Sequence, residues 1–106
     1  MTLDEYQILT SDTVAYSGHF AQQYCTVQLG AEAGEVLAAR GKFLRGDFGV
    51  EEYERRTVKE IGGVLWYCAR LLAEINVTME DCAAANLEEL RSRFERGVIK
   101  GDGDDR

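Results

Sequence analysis

The chain has 106 residues, 45% apolar and 29% charged, with no proline and 19 acidic against 12 basic side chains for a net charge of -7. That balance, with no Lys/Arg cluster, excludes a nucleic-acid polymer as an expected partner, while small anions can still be reached through a divalent cation. The length suits one domain with a modest core, so a homo-oligomer is expected. No stretch resembles a membrane span or a secretion signal, so no membrane partner and a cytoplasmic location are expected.

Alanine, leucine, glutamate and arginine fill the long segments and no run alternates in the manner of a strand, which predicts an all-α chain of four helices. The first opens on the capping box Thr2-x-x-Glu5 and ends before Ser17-Gly18. The second runs from about Phe20 to Arg45, where Gly46 supplies a left-handed cap. The third spans roughly Glu51 to Ile75, its apolar stripe Val58, Ile61, Val64, Leu65, Cys68, Leu71, Leu72 and Ile75 predicting a core face. The fourth starts at Thr78 with the seam Met79, Cys82, Ala83, Asn86, Leu87, Leu90 and Phe94. Residues 1–96 form the helical domain, and the glycine-rich acidic residues 97–106 are expected to be a mobile tail outside the core.

Three cysteines, Cys25, Cys68 and Cys82, without a C-x-x-C pair, are expected as reduced thiols used as small core residues. His19 is the only histidine, so a metal site must draw on carboxylates, which select Mg2+ or Mn2+. Asn76-Val77-Thr78 matches a glycosylation sequon and, without a secretion signal, is taken as a chance match.

The candidate chemistry lies in glutamates. Glu32 and Glu35 project from nearly the same face of the second helix, one turn apart, within the polar stripe Gln28, Glu32, Glu35, Ala39 and Lys42. Gly30 and Gly34 beside them suggest a closely approaching backbone. Glu60 stands next to the third helix's apolar stripe, followed by Gly62-Gly63. Carboxylates from two crossing helices can hold a divalent cation. An ordinary solvated acidic face is the competing reading.

The blocks Glu32-Ala-Gly-Glu35-Val, Glu60-Ile-Gly-Gly63-Val-Leu-Trp-Tyr67 and Asn86-Leu-Glu-Glu89-Leu-Arg-Ser-Arg-Phe94, in that order and following Leu3-x-x-Tyr-Gln7, resemble the MazG-like branch of the all-α nucleotide pyrophosphohydrolases, in the short single-domain form often carried by bacteriophages. The resemblance implies a four-helix-bundle-like fold assembled as a homodimer or homotetramer. It also implies Mg2+-dependent (Mn2+ possible) conversion of a nucleoside or deoxynucleoside triphosphate to the monophosphate and pyrophosphate. Glu32, Glu35 and Glu60 then match metal-binding positions. In that scheme Glu35 positions the attacking water.

Two positions depart from the family pattern. Gly63 stands where an aspartate is expected, and no packing reason for it is evident in the sequence; a catalytically impaired protein that binds nucleotides without efficient turnover is therefore the alternative reading. Glu89 stands where a lysine is common, and it could reach the metal in place of the missing aspartate. Asn86 is either a buried inter-helix amide or a nucleotide contact. Tyr67 is expected to contact base or sugar, with Trp66 turned toward a core or subunit interface. Lys42 and Arg93 are candidate phosphate contacts, while Arg40 and Arg45 could simply balance a helix dipole.

Overall fold

Local capping chemistry sets most of the helix ends. In the computed structural model, which describes Met1–Arg106, the Thr2 hydroxyl accepts from the Glu5 amide at 3.0 Å and the Glu5 carboxylate accepts from the Thr2 amide at 2.8 Å, opening α1 (Leu3–Thr10). Two short 3-10 turns, Ser11–Thr13 and Gly18–Phe20, lead into α2 (Ala21–Arg45). Gly46 closes α2 at φ +90°, a conformation that glycine adopts without a Cβ penalty.

The helix α3 (Val50–Glu74) ends in a comparable device. Asn76 adopts φ +60° and the Val77 amide donates back to the Leu72 carbonyl at 2.9 Å. Asparagine tolerates this left-handed geometry, so the apparent sequon is part of a helix stop. The hydroxyl of Thr78 then accepts from the Asp81 amide at 3.0 Å and starts α4 (Met79–Glu95). α2, α3 and α4 lie within a residue or two of their expected bounds, whereas α1 ends at Thr10 instead of running on toward Ser17, and the chain is all-helical. None of them is long and apolar enough to cross a membrane.

The antiparallel α2/α3 hairpin is the main tertiary contact. Near its turn, Phe43 stacks on Tyr53 at 4.7 Å, the Arg40 guanidinium lies 5.4 and 5.3 Å from their centroids, and Arg56 lies 4.4 Å from Phe48. Further along, Gly63 meets Glu32 and Tyr67 meets Tyr24. The row of α3 turned to α2 is therefore Tyr53, Glu60, Gly63 and Tyr67, a largely polar row at helical spacing.

That choice of face corrects the expectation for the apolar stripe. Val58 is 73% exposed, Ile61 51% and Ile75 46%, so much of the stripe meant for the core lies open in the single chain. The α4 seam is likewise uncovered: Leu87, Leu90 and Phe94 are exposed, Cys82 is an exposed thiol, and the helix packs chiefly on α1. Of the three cysteines only Cys25 is fully buried, its thiol donating to the Tyr16 hydroxyl at 3.2 Å. Seven of 106 residues are buried. The radius of gyration is 16.7 Å, against roughly 13 Å for a compact domain of this length.

One buried side chain ties the pieces together. The Gln7 amide nitrogen donates to the carbonyls of Ala69 at 3.2 Å and Val77 at 3.0 Å, and its oxygen accepts from the Met79 amide at 3.1 Å. Gln7 thus satisfies the C-terminal part of α3, the loop and the first turn of α4 from α1 at once. Arg70 adds a donor to the Thr10 hydroxyl at 3.2 Å, and the Trp66 indole donates to the Thr13 hydroxyl at 3.0 Å.

Beyond α4, residues 97–106 form a series of turns. The Arg106 guanidinium donates to the carbonyls of Val98 at 3.1 Å and Ile99 at 3.2 Å, and Arg96 donates to the Arg106 carbonyl at 2.9 Å. Arginine donors on α4 and at the chain end find nearby carbonyls.

Gln7→Ala leaves two carbonyls and an amide without their partner and should destabilise the chain by on the order of 2–4 kcal/mol in denaturant titration. Gln7→Glu, which keeps the size and replaces the donating nitrogen by an oxygen facing two carbonyls, should cost at least as much.

Candidate functional site

The mid-point of the hairpin is built around an absent side chain. A Cβ on Gly63 would lie 2.7 Å from Cδ and 3.2 Å from Cγ of Glu32, with one carboxylate oxygen nearer still. The carboxylate of Glu32 thus occupies the volume that any side chain at 63 would need. These atoms are the far end of a flexible side chain, so a larger residue at 63 would displace the Glu32 carboxylate at little cost. The equivalent points on Gly30, Gly34 and Gly62 have nothing within 4 Å, so the close backbone approach expected at Gly30 and Gly34 is not found within the chain.

Glu35 is one turn beyond Glu32 on α2, and Glu60 one turn before Gly63 on α3. In an antiparallel pair these turns run side by side, which puts both glutamates on the same side of the Glu32–Gly63 contact. Glu35 is exposed and Glu60 half-buried. The chain's ion pairs are Arg45–Asp47, Arg55 and Arg56 with Glu52, Arg91–Glu88 and Arg93–Glu89; Glu32, Glu35 and Glu60 take part in none.

These three carboxylates do not form the metal shell expected of them. No three His, Cys, Asp or Glu side chains converge as a metal-holding group. The physical reason is visible in the contact itself: Glu32 is lodged against α3, and like charges with no cation between them gain nothing by approaching. The residue types suit a hard cation, while their arrangement would have to close around one.

Tyr67 lies where the sequence expected it, on the Glu60 face one turn past Gly63. Its ring meets Tyr24 at 6.1 Å and Trp66 at 4.8 Å. The Tyr24 hydroxyl foremost, then burial and the charges of Tyr24 and Glu32, push the Tyr67 phenol up to about 12. Tyr24 went unnoticed in the sequence, because only the pairing of α2 with α3 brings it to Tyr67.

The remaining candidates do not join this face. Asn86 is exposed on α4 instead of buried in a seam. Arg93 is engaged by Glu89 and by the carbonyl of Asp104, so it is held to its own helix and the C-terminal turns. Glu89, paired in this way, does not stand in for a missing ligand. Lys42 is exposed near the end of α2, beside Asp47. Arg40 covers Phe43 and Tyr53, and Arg45 pairs with Asp47, so neither serves only the helix dipole. The chain's open clefts, such as one of about 430 Å³ beside His19, Phe20, Thr26 and Val27, are not lined by the three glutamates.

A phenol raised in the folded chain favours folding below the unfolded value near 10 and loses that contribution as pH climbs toward about 12. Tyr6 and Tyr16 are raised as well, chiefly by burial, so spectrophotometric titration should find Tyr67 the last of three late tyrosines, and Tyr24→Phe should lower its midpoint more than Glu32→Gln does.

Compared with known proteins, the chain matches no family model and no solved structure. It is 40% identical over 114 residues to the "Gene 37 protein" of Mycobacterium phage L5, and the match covers 100% of each chain. An all-helical chain matched from end to end at this identity belongs to the family of that phage protein.

Proposed function

We propose that the α2/α3 face handles the phosphates of a nucleoside or deoxynucleoside triphosphate, in a MazG-like nucleotide pyrophosphohydrolase that releases the monophosphate and pyrophosphate. The observation that carries this reading is the meeting of Glu32 with Gly63, because it brings together the two sequence blocks whose resemblance suggested the activity. The glutamates of these blocks are free of arginine and lysine. An unpaired acidic face attracts a polyphosphate only through a cation, so the reading requires Mg2+ or Mn2+.

Glu32, Glu35 and Glu60 are the groups that would hold such an ion, with water in the remaining positions; when bound it would neutralise phosphate charge and acidify a coordinated water. Tyr67, beside Glu32, is the residue suited to stack on a base or sugar. Assembly as a homodimer or homotetramer belongs to the same proposal. The uncovered stripe Val58, Ile61 and Leu65 on α3 and the row Leu87, Leu90 and Phe94 on α4 would be its interfaces.

A second reading keeps nucleotide binding and drops efficient turnover. It is favoured by Gly63, which contributes no carboxylate, and by glutamates that do not converge. Pyrophosphate and monophosphate release should be measured over a panel of ribo- and deoxynucleoside triphosphates with Mg2+ or Mn2+. The proposed activity predicts release from the chain as it stands. Release only from Gly63→Asp would assign this chain to the binding form. A melting temperature raised by nucleotide plus Mg2+ without release would do the same, and neither release nor a shift would contradict both.

A further inference from the structure

We propose that the cleft where the end of α1 meets α3 and the α3–α4 loop is a binding site for a small organic carboxylate, with Arg70 as its counter-ion. The cleft, about 400 Å³, is bounded by Ile8 and Ser11 at the end of α1, by Arg70 and Ala73 on α3, and by Asn76 and Thr78 of the loop. None of the glutamates of the α2/α3 face lines it, so this site is independent of the pyrophosphohydrolase reading.

The observation that carries it is a cation without an anion. Arg70 is half-buried; its Nη1 donates to the Thr10 hydroxyl at 3.2 Å, and its Nε is buried with no partner. The groups that hold it are neutral, the Thr10 hydroxyl and the Tyr16 phenol beside it. None of the chain's ion pairs includes it, although Glu74 follows one turn later on the same helix and the chain carries 19 acidic side chains. The other arginine with a buried, unpartnered Nε, Arg93, has Glu89 to answer its charge. A guanidinium drawn partly out of water loses hydration that neutral hydroxyls replace only in part, and an anion makes up the difference.

The wall of the cleft supplies further donors. Asn76 stops α3 at φ +60°, a conformation that glycine fills more readily; asparagine in that place brings a side-chain amide to the cleft. The Thr78 hydroxyl accepts from the Asp81 amide, which leaves its own proton to donate. The Gln7 amide is spent on the backbone and the Ser11 proton on the Ile8 carbonyl, so Arg70, Asn76 and Thr78 are the donors on offer. Ile8 and Ala73 give the cleft an aliphatic side, which suits a carbon chain and not the polar shell of a phosphate. One guanidinium balances one carboxylate, whereas a phosphate dianion would add negative charge to a chain already at -7.

The test is a titration of the isotope-labelled full chain with butyrate, and with inorganic phosphate and butylamine as contrasting probes, read by amide chemical shifts. Butyrate should move the backbone signals of Ser11 and Val77 and the side-chain amide of Asn76 saturably, with a Kd on the order of 1 mM, and the amine should not. Arg70→Met, which keeps the apolar stem and removes the charge, should weaken binding about tenfold or more. Asn76→Gly, which preserves the left-handed helix stop, should weaken it roughly fivefold and decides the matter should Arg70→Met fail to fold. No saturable movement in the wild-type chain, or unchanged affinity in a folded Arg70→Met, would overturn the site. Tighter binding of phosphate than of butyrate would overturn the carboxylate assignment.

Discussion

The fold depends on which side of α3 is given to α2. α3 carries a nearly continuous apolar stripe and, around the helix from it, the mixed row Tyr53, Glu60, Gly63 and Tyr67; the hairpin closes on the mixed row. Stacked and crossed aromatics and a guanidinium group on their rings join the two long helices. Everything else follows from that pairing. Val58, Ile61, Leu65 and Ile75 of the aliphatic stripe are left open, and α1 is fastened by the hydrogen bonds of Gln7 in place of a deep core.

This division of labour fits the proposed site within one hairpin and the proposed association of copies. Burying apolar surface contributes roughly 25 cal/mol per Å², and a chain with only seven buried residues obtains little of that alone. In the proposed oligomer the stripe of α3 and the row of α4 supply the missing burial, and the polar hairpin face stays available for ligand.

Local signals were legible. The capping box at Thr2, the left-handed Gly46 and the Thr78 cap all depend on residues within one turn, and each is found where the sequence suggested. The pair of helices carrying Glu32 and Glu60, and the helical neighbourhood of Gly63 and Tyr67, could be read from spacing. Which face of α3 met which helix could not, because periodicity identifies an apolar stripe without saying whether its partner lies in the same chain. The same blindness explains Asn86, which is exposed on α4, and Arg93, whose partners include a carbonyl 11 residues away. Gly63 resembled a loss when read along α3 alone. The carboxylate it meets, Glu32, is 31 residues earlier and comes into view only across the hairpin.

The central claim, that the polar face of α3 is spent within the chain and its apolar face on a second copy, is tested most directly by sedimentation equilibrium over a dilution series of the wild-type chain and Ile61→Asp. The account predicts a wild-type mass that is a multiple of 11.9 kDa and a variant that shifts toward the single-chain mass with loss of helical signal. A wild-type chain that remains folded, helical and 11.9 kDa at every concentration would contradict it.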